Sequence, residues 1–258
     1  MGRFDDQVVI VTGAGQGLGA ACARKFVAEG ATVILAGRTL AKVEKVASEL
    51  GDKAIPWQID VSKEEEWIKL TAYVKEKFGS LDVLVNNAAV MTYTDILHTS
   101  ADAWKNIVDI NLGSMFFGMK HCYEIMKKGV YRGIVNVLST ASMRVGDRTG
   151  NDVGYETTKA GAMNMNKHAA LCFAPDCIRV NAVHPSAFMT PMLKAAWDAA
   201  EATQPGLYES LLKRFNPLPP YYGQPEEVAD AILFLADSKA ARMITGASLA
   251  TDSGALLT

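Results

Sequence analysis

A glycine-rich turn between an apolar strand and a helix constrains the fold of this 258-residue chain more than any other feature. Residues 8–11 form a β-branched run, and Gly13, Gly17 and Gly19 follow it with the spacing Gly-x-x-x-Gly-x-Gly. A helical pattern then continues to Glu29. Glycines let the main chain approach a pyrophosphate, and the free amides of a helix N-terminus attract anions. The stretch predicts a nucleotide site; the alternative is a tight turn that binds nothing.

Strand and helix patterns alternate along the rest of the chain, which predicts an α/β fold with a parallel sheet. Further strands are expected at 32–36, 54–61, 81–85, 133–139, 178–183 and 244–250. The chain shows no repeat beyond this alternation, no low-complexity tract and no linker. We therefore expect one domain spanning 1–258.

The composition is that of an ordinary globular protein, with 49% hydrophobic and 21% charged residues. A net charge of −2 argues against nucleic acid or an anionic membrane as a partner. The four cysteines form no Cys-x-x-Cys and, with only four histidines, no metal-ligand spacing. A reduced, cytoplasmic context fits this best. No apolar run approaches the ~18 residues of a membrane span.

Tyr155 and Lys159 stand four residues apart in a helical pattern, so both side chains lie on one face, one turn apart. A phenol has an unperturbed pKa of about 10, and a nearby ammonium favours its deprotonation. The pair predicts a proton donor and acceptor for an alcohol or a carbonyl. A packed tyrosine beside a solvated lysine is the alternative.

The second expected strand is followed by Gly37 and Arg38. In dinucleotide folds a carboxylate at this place accepts from the ribose hydroxyls, whereas an arginine accommodates a 2′-phosphate. The pattern favours NADP(H), unless Arg38 is simply a solvated loop residue. The glycine turn itself carries the neutral Gln16 and no second basic residue.

Polar residues also stand where the predicted strands end. Asp60 ends the third strand, and Asn86 and Asn87 end the fourth, at the edge where open α/β sheets bind ligands. The asparagines are equally suited to turns. Asn111 lies within a helical pattern over 103–128 and needs a partner if it is buried, either as a core amide or in a site.

Together these motifs resemble the short-chain dehydrogenase/reductase family over essentially the whole chain. The matching stretches, in family order, are Thr12-Gly13-x-x-x-Gly17-x-Gly19, Asp60, Asn86-Asn87-Ala88, Asn111, Ser139, Tyr155-x-x-x-Lys159 and Pro185 to Thr190. The resemblance implies a Rossmann-type, doubly wound parallel sheet of about seven strands with helices on both faces, a nicotinamide cofactor and a catalytic set. The implied catalytic residues are Asn111, Ser139, Tyr155 and Lys159. The residues expected to bind the cofactor are Gly13, Gln16, Gly17, Leu18, Gly19, Arg38, Asp60, Val61, Asn87, Ala88, Tyr155, Lys159, Pro185, Phe188 and Thr190.

The chain departs from the family pattern at three places. Ala89 and Ser186 replace glycines that normally meet the cofactor, and we expect them to shift the nicotinamide slightly. The family serine usually stands about thirteen residues before the tyrosine, whereas Ser139 stands sixteen before it and Ser142 thirteen. Ser139 is preferred because its position at a strand end fixes geometry while loops absorb insertions. Ser142 stays open as the alternative.

The segment 191–223 mixes aromatic, methionine and proline residues, which is typical of a lid, with a small satellite core as the alternative. Ser139, Tyr155, Met192 and Trp197 are the expected substrate contacts. The segment favours a hydrophobic cyclic substrate, steroid- or terpenoid-like, for an NADP(H)-dependent alcohol–ketone oxidoreductase. One alternative is a sugar or polyol, recognised by Asn151, Asp152 and His184. The other is a catalytically silent NADP(H)-binding sensor on the same fold.

The helical pattern over 155–173 carries alanine, glycine and methionine on most of its faces. Because one sheet cannot cover so many apolar faces, we expect a homo-oligomer, a dimer or tetramer, with this helix and the 103–128 helix at the interface.

Overall fold

A computed structural model describes residues 2–127, 129, 132–145 and 152–258. Its strands are β1 Val8–Thr12, β2 Thr32–Gly37, β3 Ala54–Gln58, β4 Val83–Asn86, β5 Arg132–Val137, β6 Ile178–Pro185 and β7 Ser248–Thr251. Within the described residues they form one parallel seven-stranded sheet in the order β3-β2-β1-β4-β5-β6-β7. The predicted doubly wound Rossmann-type sheet is confirmed.

The helices follow the strands in the expected alternation. They are α1 Gly17–Ala28, α2 Leu40–Leu50, α3 Glu64–Phe78, α4 Ala101–Val108, α5 Ser114–Met126, α6 Val153–Phe173, α7 Pro191–Thr203, α8 Leu207–Phe215 and α9 Pro225–Ala236. Among the described residues, no helix combines the length and apolarity that crossing a membrane requires.

Side-chain alternation along the strands produces a core on each face of the sheet. Val9 and Val11 of β1 pack with Phe26 of α1 in one cluster. Val8 and Ile10 point the other way and pack with Trp67 of α3 in a second cluster. Because both faces are covered, the strands read as continuous apolar runs, as buried parallel strands do.

The strand order reverses between β1 and β4, which places a crevice at their carboxyl ends. The hydroxyl of Thr12 accepts hydrogen bonds from the main-chain amides of Asn87 (2.9 Å) and Ala88 (3.0 Å). The Asn87 side chain donates to the carbonyl of Thr12 at 2.8 Å. These bonds join the loop after β4 to the glycine turn after β1, so both loops are held at the ligand edge.

Two expected elements differ from their sequence patterns. The helix expected over 103–128 is α4 and α5, joined by a π turn over Asp109–Gly113. The outward side of α6 is less apolar than its composition indicates, because Asn164 and Lys167 are exposed there beside Leu171. The buried side of α6 packs against β6, α4 and α5 of the same chain.

Candidate active site

Tyr155 and Lys159 lie one turn apart near the start of α6. The helix begins two residues before Tyr155, and the buried carboxylate of Asp152 caps it by accepting from the Tyr155 amide at 2.9 Å. The Lys159 ammonium nitrogen lies 5.5 Å from the centre of the Tyr155 ring. The spacing in the sequence therefore brings the phenol and the amine to the same side of one helix.

Lys159 is only 1% exposed, and its ammonium donates to the carbonyl of Val137 at 2.7 Å. Burial lowers its pKa to about 7. The amine is therefore close to half protonated at neutral pH, whereas an exposed lysine is fully charged.

Ser139 supplies the second contact to Tyr155. Burial raises the pKa of the Tyr155 phenol, a hydrogen bond from the Ser139 hydroxyl lowers it, and the charges of Asp152 and Tyr93 raise it further. The Ser139 oxygen also accepts from the amide of Ala141 at 3.1 Å, so its proton is available to the phenol. That Lys159 also lowers this pKa stays a prediction.

Ser142 lies behind Ser139 and is buried. Its hydroxyl donates to the main-chain carbonyl of Ser139 at 2.5 Å and lies 2.7 Å from Nδ1 of His184. Of the two candidate serines, Ser139 is the one that contacts Tyr155.

Asn111 sits in the π turn between α4 and α5 and is completely buried. Its Oδ1 accepts from the amide of Val90 at 2.8 Å, and its Nδ2 donates to the carbonyl of Val90 at 2.9 Å and to Thr158 Oγ1 at 3.3 Å. The side-chain amide is thus satisfied by the loop after β4 and by α6. The sequence allowed Asn111 to be either a core amide or a site residue. In the structure its side chain is buried and hydrogen-bonded, and it lies against α6.

The glycine turn fits a bound pyrophosphate. Gly13 and Gly17 have φ values of +68° and +54°, in the left-handed region that favours glycine. A Cβ on Gly19 would lie 2.3 Å from the carbonyl oxygen of Gly13. Helix α1 starts at Gly17, and its N-cap, Gln16, makes no side-chain cap hydrogen bond. The first amides of the helix are therefore left for an anion.

The expected adenosine end of the cofactor site lies past β2 and β3. Arg38 is exposed and borders a cavity of about 290 Å³ together with Asp60 and Lys63. The Asp60 carboxylate accepts from the amide and hydroxyl of Ser62 at 3.0 Å and 2.7 Å. Val61 is buried in the core. A second basic group, Lys63, is thus brought beside Arg38 by folding.

A further lysine reaches the glycine turn from α2. The Lys42 ammonium donates to Oε1 of Gln16 at 2.8 Å. The turn therefore carries no basic residue of its own, as its sequence shows, but receives one from a neighbouring helix.

The opposite end of the expected cofactor site is the stretch after β6. Phe188 bridges to Gly223, and the hydroxyl of Thr190 caps α7 by accepting from Leu193 at 3.2 Å. A Cβ on Gly17 would lie 3.3 Å from Cδ of Pro191. The start of the 191–223 segment therefore lies against the glycine turn.

Ser186, one of the departures from the family pattern, has a partner in this segment. Its hydroxyl donates to Oδ1 of the buried Asn216 at 2.8 Å. The extra hydroxyl therefore ties the end of β6 to the end of α8.

The 191–223 segment folds as α7 and α8 and carries an aromatic cluster. Trp197 lies with its ring centroid 5.3 Å from that of Tyr208 and 5.7 Å from that of Tyr222. Burial raises the pKa of Tyr208, and the charge of Tyr93 raises it further. The charge of Tyr93 also raises the pKa of Tyr155. The side chain of Met192 and the whole of Asn151 lie outside the described part of the structure.

Sequence reasoning missed Tyr93 as a site residue and Asp152 as a support. Asp152 accepts from the amides of Thr92 (2.5 Å) and Tyr93 (2.6 Å) and from the Thr92 hydroxyl (2.6 Å). Tyr93 has a φ of +55°, a conformation that no sequence pattern signals. An aromatic residue in the loop after a ligand-edge strand, and an Asp three residues before Tyr155, were the available clues.

Comparison with known proteins decides the family. The family model described as enoyl-(acyl carrier protein) reductase matches residues 13–255. The chain belongs to the short-chain dehydrogenase/reductase family. As a member it is an oxidoreductase of alcohols and ketones that uses a nicotinamide cofactor.

Curated relatives align along almost the whole chain. The cyclopentanol dehydrogenase of Comamonas sp. (strain NCIMB 9872) is 34% identical, with 98% of both chains covered. The NADP-dependent (R)-specific alcohol dehydrogenase of Lentilactobacillus kefiri is also 34% identical, covering 98% of this chain and 97% of the relative. The 3-alpha-(or 20-beta)-hydroxysteroid dehydrogenase of Mycobacterium bovis is 30% identical, covering 98% and 90%.

Solved structures of the family superpose closely. The aldohexose dehydrogenase of Thermoplasma acidophilum gives a TM-score of 0.85 at 31% identity, covering 99% of this chain and 96% of that one. The 3-ketoacyl-(acyl-carrier-protein) reductase of Brucella melitensis, complexed with NADH, gives 0.84 at 29% identity, covering 98% and 99%.

Proposed function

We propose that this enzyme is NADP(H)-dependent and interconverts a secondary alcohol and a ketone on a hydrophobic cyclic substrate, steroid- or terpenoid-like. The observation that carries the proposal is the half-buried Tyr155 phenol, which is hydrogen-bonded by Ser139 and lies beside the buried Lys159. The aromatic cluster of 191–223 supports an apolar substrate. The names of the cyclopentanol and hydroxysteroid dehydrogenases support a cyclic alcohol.

Tyr155 acts as the acid and base of the reaction. The nicotinamide, when bound, supplies or accepts the hydride. Tyr155 donates its proton to the ketone oxygen in reduction and takes the hydroxyl proton in oxidation. Ser139 donates its hydrogen bond to the same substrate oxygen. Both groups come from rigid elements, the end of β5 and the start of α6, which fixes their separation.

Lys159 and Asn111 support Tyr155. In its protonated form Lys159 places a positive charge 5.5 Å from the centre of the Tyr155 ring and, by the family resemblance, holds the nicotinamide ribose. A pKa of about 7 also lets Lys159 release or accept a proton at neutral pH. Asn111, whose side chain is held by Val90 and Thr158, supports a proton relay to solvent through water.

NADP(H) is preferred because Arg38 and Lys63 border the same cavity. In addition, strand β2 ends in Gly37 and not in a carboxylate that would accept from the ribose hydroxyls. A 2′-phosphate carries up to two negative charges, and a planar guanidinium pairs well with phosphate oxygens. Glu65 and Glu66 of α3 also border the cavity, and their negative charges oppose phosphate binding. An ion pair with Lys69 offsets the charge of Glu66.

A sugar or polyol is the weaker candidate substrate. The aldohexose dehydrogenase structure favours it by name. However, Asp152 is buried and accepts four hydrogen bonds, and His184 is buried against Ser142. Neither side chain is available to sugar hydroxyls, whereas the aromatic cluster offers apolar surface.

Substitution of the phenol tests the reaction. Tyr155→Phe removes the acid and keeps the shape, so turnover falls by at least the ~10²-fold typical of general acid catalysis. The control is Tyr73→Phe, which removes a phenol on α3 that accepts from Lys77 and packs on Trp57. Near-normal turnover of Tyr155→Phe would show that Tyr155 is not the acid of the reaction.

A substrate panel tests the substrate class. NADPH absorbance is followed with steroid ketones, monocyclic terpenoid ketones, cyclopentanone and ketoses. We expect turnover of the hydrophobic ketones. Fast reduction of a ketose with none of the hydrophobic ketones would overturn the proposed substrate.

A further inference from the structure

The main-chain carbonyl of Ser139 receives an unusual number of donors. The amide of Ser142 lies 3.0 Å from it, the Ser142 hydroxyl 2.5 Å and Nδ1 of His184 3.1 Å. Ser142 and His184 are both buried, so these polar groups have been taken out of water to meet one another. Such a cluster is costly unless every member is satisfied, and it fixes its members when it is.

The protons of this cluster can be assigned. Ser142 has one hydroxyl proton and directs it to the Ser139 carbonyl. Nδ1 of His184 must then carry a proton, which it shares between the Ser142 oxygen and the Ser139 carbonyl. Nε2 is left as a bare acceptor, and it is buried with no protein partner among the described residues. The opposite tautomer would bury an unpaired N–H and set Nδ1 against a carbonyl lone pair.

The cluster joins two strands directly behind the reacting groups. Ser139 and Ser142 follow β5, whereas His184 lies on β6, one residue before Pro185 at the expected nicotinamide edge. The Ser139 carbonyl is thus held from the next strand while its hydroxyl reaches Tyr155. A displacement of about 1 Å in a catalytic group can cost roughly a hundredfold in rate.

We propose that Ser142 and His184 are positioning residues that hold Ser139 so that its hydroxyl stays directed at Tyr155. The inference rests on the proposed function, because it concerns the same phenol and the same serine. Neither residue touches substrate or cofactor. Ser142 therefore contributes to the site, but through Ser139 rather than as the reacting serine.

Matched pairs of variants separate positioning from packing. Ser142→Ala and His184→Leu remove the donors to the Ser139 carbonyl, whereas Ser142→Thr keeps the hydroxyl and His184→Asn keeps an N–H near the place of Nδ1. The control is Thr71→Val, which loses a buried hydroxyl on α3 that bonds only to helix carbonyls.

The first readout is the split between kcat and KM. We expect Ser142→Ala and His184→Leu each to lower kcat about tenfold, with KM for NADPH within about twofold, since a misdirected Ser139 hydroxyl affects the chemical step. Ser142→Thr and His184→Asn stay within about threefold of wild type in kcat, because they restore the donor. Thr71→Val leaves kcat unchanged.

The second readout does not need activity. Titration of the Tyr155 phenol is followed by ultraviolet difference spectra, each variant against the same variant carrying Tyr155→Phe. Asp152 and Tyr93, whose charges also act on the phenol, and the neighbouring Lys159 are unchanged in the variants. Loss of the Ser139 hydrogen bond moves the titration to higher pH in Ser142→Ala and His184→Leu but not in their conservative partners.

The outcomes decide the proposal even if no ketone is reduced. Wild type without turnover would end the proposed function, and the phenol titration would still report the position of Ser139. Unchanged kcat and unchanged titration in the folded Ser142→Ala and His184→Leu variants overturn the inference. An equal loss of kcat in all four variants together with a matching fall in Tm also overturns the inference, because such a result indicates an effect on packing alone.

Discussion

At the residue scale, Lys159 couples the stability of the cofactor-free enzyme to pH. Burial lowers its pKa from 10.5 to about 7. Between those values the unfolded chain holds a proton that the folded chain lacks, so stability rises with pH across the window. We expect the free energy of unfolding of wild type, relative to Lys159→Met, to rise by up to ~1.4 kcal/mol per pH unit between pH 7.5 and 9. Urea unfolding at several pH values measures it, with Lys167→Met as the exposed control from the same helix. Parallel curves would mean that Lys159 keeps an ordinary pKa.

Arg38 determines cofactor choice at the same scale. A charge-assisted contact to the 2′-phosphate contributes about 1.5–3 kcal/mol, or roughly ten- to hundredfold in affinity. Arg38→Ala therefore removes most of the preference for NADPH over NADH, measured as the ratio of the two dissociation constants. Lys53→Ala, an exposed lysine that bonds the carbonyl of Gly30, is the charge-matched control. A wild-type preference for NAD⁺ would show the Gly37–Arg38 interpretation to be wrong.

At the element scale, Asp152 joins the loop after β4 to helix α6. It caps the helix and accepts from Thr92 and Tyr93, so one carboxylate positions both Tyr155 and Tyr93. We expect Asp152→Ala to lower the free energy of unfolding by about 2–4 kcal/mol, since the cap of α6 and the buried carboxylate that accepts from the amides of Thr92 and Tyr93 are lost together. It also raises KM for the ketone by releasing Tyr93. Urea unfolding and initial rates measure the two effects. Asp102→Ala, an exposed acid in the first turn of α4, changes stability by less than about 0.5 kcal/mol. A destabilisation no larger than that of the control would contradict the role.

At the scale of the whole molecule, we predict a homo-oligomer whose interface includes α5 and α6. Phe116 on α5 is 50% exposed and Leu171 on α6 is 79% exposed. Large apolar side chains of this kind at helix surfaces are suited to an isologous contact. Static light scattering of the double variant Phe116→Lys/Leu171→Lys should give a particle of 27.8 kDa, whereas wild type gives a multiple of it. A wild-type particle of 27.8 kDa at micromolar concentration would disprove the assembly.

The single-domain organisation with a lid at 191–223 likewise stays a prediction.

Much of the fold was predictable because it depends on local patterns. Continuous apolar runs, the glycine turn and the regular alternation of strand and helix predict an α/β fold with a parallel sheet before any distance is known, and the family resemblance adds that the sheet is doubly wound. The Tyr155–Lys159 pair was equally readable, because a helix converts a spacing of four into proximity. The break between helices α4 and α5 was less predictable. The π turn at Asn111 depends on a bond to Val90 in another element, and no periodicity signals it.

The sequence by itself determined the class of sheet, the glycine cradle and the helical pairing of Tyr155 with Lys159, since each rests on residues near one another in the chain. Only tertiary structure decided which serine reaches Tyr155, because Ser142 is turned inward by His184 from a neighbouring strand. It also decided the charge state of Lys159, through burial, and the place of Tyr93, through the carboxylate of Asp152. These features depend on what lies across the fold from a residue, and the linear sequence does not contain those distances.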